Sequence, residues 1–259
     1  VRRYPALAGL RIGCVKYLNA RPLIHGYDGP VVFDHPSGLA RDLSRGALDV
    51  ALVPIFEALR GPRYMVADGV AIASDGPVFS VFLAHRGPLE EVRTVALDPA
   101  SLTSVHLLQV LLAEYHGIRP RCVELRGFPT EADAVLLIGN QAIDFRASDR
   151  GSHRILDLGE EWKRCTGLPF VYAPWLLRPG LADPTAIAGA LRELKQRGIV
   201  HIDDIIRADS HDPAFSRRYL TEHIRFDLGP REKAGIEKFR TLLAKHRFIA
   251  AAGEPLVYV

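Results

Sequence analysis

Short runs rich in Val, Ile and Leu alternate along this chain with segments whose apolar side chains recur at helical spacing. No other feature restricts the fold as much, because strands that return after an intervening helix pair in one sheet and bury both of its faces. Ile12–Val15, Val31–Phe33, Leu48–Val53, Val70–Ile72 and Val78–Leu83 read as strands, then Thr94–Leu97, Arg121–Leu125 and Ala134–Ile138. Helical spacing marks Gly38–Arg45, with Leu39, Ala40 and Leu43 on one face and Ser37 placed to cap it. The same spacing marks Ser104–Tyr115, Pro184–Gln196, Ile202–Arg207, Pro213–Ile224 and Pro230–His246. The expected fold is α/β with mainly parallel strands. His85–Pro88 reads as a crossover into a fresh unit, and the apolar Thr166–Trp175 stretch as the return. The chain then divides into a discontinuous first lobe, residues 1–85 and 175–259 with the C-terminal helices, and an inserted second lobe, residues 86–174.

A chain of 259 residues has the length for two such units of roughly 100–150 residues. The formal charge is only +3 and the basic residues are dispersed, which excludes a nucleic-acid stripe and leaves a mild bias toward an anionic small molecule. Cys14, Cys122 and Cys165 are odd in number and far apart, so neither a disulfide framework nor a zinc site fits, and a reducing compartment does. No apolar run reaches the ~18–20 residues of a membrane span. The first residues, Val-Arg-Arg-Tyr-Pro-Ala-Leu-Ala-Gly, are too weakly apolar for an export signal, so the cytoplasm is expected. No pattern speaks to an oligomeric state.

The sequence lacks Gly-x-Gly-x-x-Gly, the P-loop, His-Glu-x-x-His and Gly-x-Ser-x-Gly, so no cofactor or nucleophile announces itself. His201-Ile-Asp-Asp204 and Asp209-Ser-His-Asp212 resemble metal ligands. Both fall at helix starts, where such residues cap free N–H groups, and no metal is expected. The segment Arg11-Ile-Gly-Cys-Val-Lys-Tyr-Leu-Asn-Ala-Arg-Pro-Leu23 is more informative. It runs from a strand into Tyr17-Leu18-Asn19, and open α/β sheets place ligand chemistry at the carboxyl ends of strands. Asn19 before Ala-Arg-Pro is also an ordinary turn residue. Pro36-Ser37, Ser101-Leu-Thr-Ser104 and Gly139-Asn140 each open a helix, where free N–H groups and the dipole attract an anion. Taken singly each is a cap; facing one cleft, they would form a receptor for a dicarboxylate. Phe170 and Tyr172 on the return strand are candidate pocket walls beside a core-strand reading.

Val15-Lys-Tyr-Leu-Asn19 with Arg21-Pro-Leu23, Pro36-Ser-Gly-Leu-Ala40, Leu48-Asp-Val-Ala-Leu-Val-Pro54, Leu97-Asp98 with Ser101-Leu-Thr-Ser104, Leu137-Ile-Gly139 and Thr166-Gly-Leu-Pro-Phe170 together resemble the chorismate dehydratases of the futalosine route to menaquinone. The resemblance runs from about residue 10 to the final helices. It implies a two-lobed type II periplasmic-binding-protein-like fold with two interdomain crossovers and a central ligand cleft. It also implies a carbon–oxygen lyase that takes chorismate to 3-[(1-carboxyvinyl)oxy]benzoate without a cofactor. Asn19 is then the reacting end of the site, orienting a hydroxyl or carboxylate of the substrate. Ser37, Ser80, Ser101, Thr103, Ser104, Gly139, Asn140 and Phe170 would contact the substrate. Leu102 stands where the family pattern has Arg, and Asn140 where it has Asp, so neither position supplies a charge. Two alternatives share the fold. One is the sister enzyme making 1,4-dihydroxy-6-naphthoate, whose catalytic histidine would be sought at His85 or His153. The other is a non-catalytic solute-binding protein for a small carboxylate.

Overall fold

The computed structural model describes residues 4–61, 64–99, 101–128, 130–250 and 254–259; the basic start of the chain, Arg2 and Arg3, lies outside them. In chain order the strands are β1 (Ile12–Cys14), β2 (Val31–Phe33), β3 (Val50–Leu52), β4 (Met65–Ser74), β5 (Val81–His85), β6 (Thr94–Leu97), β7 (Arg121–Glu124), β8 (Ala134–Ile138), β9 (Arg154–Asp157), β10 (Phe170–Leu177) and β11 (Val257–Tyr258). The helices are α1 (Pro36–Ser44), α2 (Ile55–Arg60), α3 (Thr103–Tyr115), α4 (Gly139–Ser148), α5 (Leu158–Thr166), α6 (Pro184–Val200), α7 (Ile202–Arg207), α8 (Pro213–Arg218) and α9 (Pro230–Lys245).

Among the described residues the strands form two sheets, ordered β11-β4-β10-β3-β1-β2 and β7-β6-β8-β5-β9. Each sheet is the floor of one lobe. The sheets are mixed rather than mainly parallel. β1 runs parallel to β2 and β3, and β6 parallel to β7 and β8, whereas β10 is antiparallel to β3 and β4, and β5 antiparallel to β8 and β9. The two reversed strands are the first to follow each passage between sheets, and each enters the middle of its new sheet against the direction of its neighbours.

The passages fall earlier than residues 85/86 and 174/175. β5 already belongs to the second sheet, paired from Val81↔Ile138 to His85↔Ala134, and β10 from Phe170 onward belongs to the first. Residues 75–80 and 167–169 therefore make the crossings. The reason lies in β4, which is ten residues long and keeps the first sheet going to Ser74 before the Asp75-Gly76-Pro77 turn can release the chain. The stretch before the return, Leu158–Thr166, is a helix where the sequence reading assigned no element. α5 starts on Asp157, whose carboxylate accepts from Gly159 N at 3.0 Å and Glu160 N at 3.1 Å, and it ends on Gly167 in the left-handed region.

Two contacts fix the parts that carry the site. Leu18–Leu23 forms a 3-10 turn directly after β1, and α6 packs against it. A Cβ on Gly198 of α6 would stand 1.8 Å from the Pro22 carbonyl oxygen, so only glycine permits that approach. On the return strand Phe170 is fully buried, edge-on to Trp162 (5.1 Å), Tyr172 (4.9 Å) and Phe239 (5.0 Å). These aromatic rings tie β10, α5 and α9 into one core next to the second crossing. α1 begins at Pro36 with His35 as its N-cap and no side-chain cap, so Ser37 sits inside the first turn and cannot cap it.

Candidate active site

The two lobes share a cavity of about 70 Å³, lined by the carboxyl ends of β1, β3 and β8 and by the amino ends of the reversed strands β5 and β10. That exceeds the ~10–15 Å³ needed to admit a water. The first lobe contributes Val15, Tyr17 and Asn19 beyond β1, Pro36 at the start of α1, Leu52 and Pro54 beyond β3, and Tyr172 and Ala173 of β10. The second contributes Val81, Ser101, Leu102, Thr103 and Ser104 ahead of and within α3, and Ile138 and Gly139 at the β8–α4 junction. Among these residues none carries a charge at neutral pH. Most of the wall is apolar, with polar atoms at a few fixed places, the composition of a small-molecule site.

Two of those polar atoms have no partner among the described residues. Oδ1 of Asn19 and Oγ of Ser101 are both buried on the cavity wall without a hydrogen bond. A buried polar group left unsatisfied costs on the order of 1–3 kcal/mol, which a hydrogen bond from a ligand in the cavity would recover. Ser101 stands just before α3, a 13-residue helix whose N-cap, Leu102, offers no side-chain acceptor to the first N–H groups. Those N–H groups, the positive end of the helix dipole and Ser101 all lie at the cavity wall, and a helix N-terminus beside a hydroxyl suits a carboxylate. The Leu102 side chain brings no cation to this loop.

The two lobes are latched over the cavity. Leu18 N donates to Asn140 Oδ1 at 3.1 Å, Phe56 N donates to Thr103 Oγ1 at 3.1 Å, and the Phe56 ring stacks on His106 at 3.6 Å between centroids. Gly139 has φ +60°, and its Cα packs so closely on Tyr17 that a Cβ would lie 2.8 Å from the ring. The structure thus brings together Asn19, Ser101, Thr103, Ser104 and Gly139 on one cavity. Asn140 meets the first lobe through Leu18 N without lining the cavity. Ser37 and Ser80 are not on the wall, and Pro36 takes the place beside Ser37. Ser80 is fully buried, taking a 2.7 Å hydrogen bond from the Tyr219 hydroxyl while its carbonyl accepts from Gly139 N at 2.8 Å. Phe170 lies behind Tyr172, in the aromatic core, and Tyr172 is the wall.

Tyr17, on the cavity wall, and Tyr219, behind it, are the residues that sequence reasoning passed over, whereas Tyr172 is the wall it named as a candidate. Burial, with Asp98 nearby, pushes the Tyr17 phenol up to about 12, and burial raises Tyr172 and Tyr219 well above the ordinary phenol range. All three are neutral hydrogen-bonding groups at physiological pH, not bases. His85 bonds through Nδ1 to the Gly87 carbonyl at 2.8 Å and His153 to Asp149 at 3.0 Å, and neither lines the cavity. His25, His201 and Asp204 bring ligand atoms within 4.8 Å of one another near α7, but Asp204 already pairs with Arg207 and His201. Among the described residues no helix is long and apolar enough to cross a membrane. The cysteines are free, Cys14 buried and Cys122 exposed.

A family model described as menaquinone biosynthesis matches residues 10–245. The chorismate dehydratase of Thermus thermophilus is 30% identical over 90% of this chain and 94% of its own length. That of Campylobacter jejuni is 26% identical over 86% of this chain and 88% of its own. Of solved structures, protein AF1704 from Archaeoglobus fulgidus superposes with a TM-score of 0.75 at 16% identity, covering 93% of this chain and 98% of that one. The periplasmic aliphatic sulphonate binding protein SsuA from Escherichia coli does so with a TM-score of 0.64 at 15% identity, covering 93% of each chain. At such identity these structures speak to the fold, which is that of a two-lobed periplasmic-binding-protein-like α/β protein.

Proposed function

The chain belongs to the menaquinone biosynthesis family, and from that premise we propose that the cavity between its two sheets is where it dehydrates chorismate. The protein is a chorismate dehydratase, a hydro-lyase of menaquinone synthesis. We place it in the futalosine branch of that synthesis and in the cytoplasm. The observation that carries the siting is the pair of buried, unpartnered acceptors, Asn19 Oδ1 and Ser101 Oγ, on one cavity wall.

The reaction removes the hydrogen at ring C3 and the hydroxyl at C4, which leave together as one water. The ring becomes aromatic, so much of the driving force resides in the substrate. What remains for the protein is to hold two carboxylates, select this elimination over rearrangement and orient the departing hydroxyl. Orientation alone supplies up to ~7–11 kcal/mol in well-aligned cases. In this reading Ser101, Thr103, Ser104 and the first turn of α3 hold one carboxylate. Asn19 orients the C4 hydroxyl, and Tyr17, Tyr172 and Gly139 confine the ring. Asn19 is an amide and the tyrosines are protonated, so no lining side chain serves as a base. The C3 proton goes to a carboxylate of the substrate itself or to water.

Incubation of the purified protein with chorismate tests this. The expected result is growth of aromatic absorbance and loss of one water in the mass of the product. Unchanged chorismate, together with tight binding of a different solute, would point to a binding protein instead.

A further inference from the structure

The mechanism above leaves one conspicuous group unused. Tyr219 is 1% exposed, and its hydroxyl donates to Ser80 Oγ at 2.7 Å across 139 residues of sequence. The Asn19 side chain bears on the same phenol, opposing the upward push of burial on its acidity, as Ser80 does. A phenol that donates its proton to Ser80 keeps only acceptor capacity, so an Asn19 amide bonded to it would present Nδ2; the Tyr219–Ser80 pair is tied to the cavity by the Ser80 carbonyl, which accepts from Gly139 N at 2.8 Å on the cavity wall. Asn19 Oδ1 is then the atom left free, and it is the unpartnered atom on the cavity wall.

The surroundings hold this arrangement from both sides. Tyr219 opens a π-helical turn, Tyr219–His223, in which Ile224 N bonds to the Tyr219 carbonyl five residues back. Such turns are rare and recur at functional sites, because the wider turn redirects a side chain that an α-helix would place elsewhere. The Tyr219 ring is stacked on Phe215 at 5.7 Å, and Phe215 packs on Phe79 at 5.1 Å. Phe79, the residue before Ser80, has φ +68°, a left-handed conformation that a bulky side chain rarely adopts. It is pinned there by Phe79 N donating to Asp157 Oδ2 at 2.7 Å and by the Arg146 guanidinium lying 4.1 Å over its ring. A constrained backbone thus sets Ser80 from one side, and a phenol sets it from the other.

We propose that Tyr219 is a positioning residue of the dehydration, orienting Ser80 and turning the Asn19 amide so that Oδ1 faces the substrate. This role rests on the dehydratase reading. Its test is steady-state turnover of chorismate by the wild type, Tyr219→Phe, Ser80→Ala and the double variant, with thermal unfolding of each. Tyr219→Phe is expected to lower kcat about tenfold, the equivalent of ~1.4 kcal/mol of barrier, with KM within about twofold of wild type, a split that loss of packing alone would not produce. In the Ser80→Ala background the same change is expected to cost less, because the two groups act together. Should Tyr219→Phe unfold, the double variant removes both buried polar groups and is compared with Ser80→Ala directly; a further fall in kcat as large as tenfold would contradict the coupling. Wild-type kcat in Tyr219→Phe, or full additivity, would overturn the role while leaving the dehydratase reading intact. Absence of turnover in the wild type would instead contradict that reading and this role with it.

Discussion

The backbone amide of Leu18 donates to the Asn140 side chain at 3.1 Å, joining residues 122 apart in sequence and on opposite sides of the cleft. The acceptor belongs to the first turn of α4 and the donor to the turn that carries Asn19, so one of the bonds joining the lobes also anchors the Asn19 turn. Asn140→Ala leaves the Leu18 N–H without its partner in the closed state. Chorismate KM is expected to rise about fivefold, equivalent to ~1 kcal/mol, and small-angle scattering of the free protein to show a larger radius of gyration. Asn140→Asp keeps the acceptor and is expected to behave as wild type in scattering. Unchanged KM and radius in Asn140→Ala would show that the latch lies elsewhere.

Ser101 offers a trade between stability and function. Its hydroxyl oxygen is buried on the cavity wall without a partner. Ser101→Ala removes a buried polar atom with no partner among the described residues, so the free protein is expected to gain about 1 kcal/mol in denaturant unfolding. The same change is expected to raise KM for chorismate. A loss of stability would mean that the hydroxyl already has a partner in solution.

Gly139 combines φ +60° with a Cβ position 2.8 Å from the Tyr17 ring. Gly139→Ala therefore strains the backbone and displaces a wall of the cavity, at a cost of about 1–3 kcal/mol. Both the unfolding midpoint and kcat are expected to fall. Retention of both would show that Tyr17 has room to move.

The pH dependence follows from the ionisable groups on the wall. Tyr17 is raised to about 12 and Tyr172 well above the usual phenol range, each mainly by burial. A phenol whose pKa is raised stays protonated below that value, so both remain neutral donors from acid to well past neutral pH. The kcat profile is accordingly expected to be flat between about pH 6 and 9, where substrate carboxylates are already ionised. A bell with a limb near 7 would reveal an acid–base pair and contradict catalysis by orientation.

Much of this organisation was legible in the chain. Thr94–Leu97 and Ala134–Ile138 are strands to the residue, because charged or turn residues bound short apolar runs on either side. Helix starts expected at Ser104 and Gly139 were visible from their Ser, Thr and Gly neighbours; the first begins one residue earlier, at Thr103, and the structure gathers both on one cavity. Strand direction was not legible, since an apolar run reads alike either way along the sheet, and β5 and β10 proved antiparallel. α5 was hidden because Leu158 and Trp162 are its apolar anchors amid Gly159, Glu160 and Glu161. Phe170 drew attention over Tyr172 by its place in a motif, although the cavity takes the residue two positions on. Tyr219 had no local signal, because its significance lies in a contact with Ser80 that only the folded chain makes.

Asn19 is the center of the account, with its amide buried and its Oδ1 unpartnered where the C4 hydroxyl is proposed to lie. Asn19→Ala is expected to leave the fold and the proposed carboxylate site at α3 in place while removing the proposed orienting group. Single-turnover conversion of chorismate by this variant, saturated with substrate, is the most direct test. The account predicts at least a hundredfold slower formation of the aromatic product, about 2.7 kcal/mol of barrier, in a protein whose unfolding midpoint stays close to that of the wild type. Conversion at the wild-type rate would contradict it.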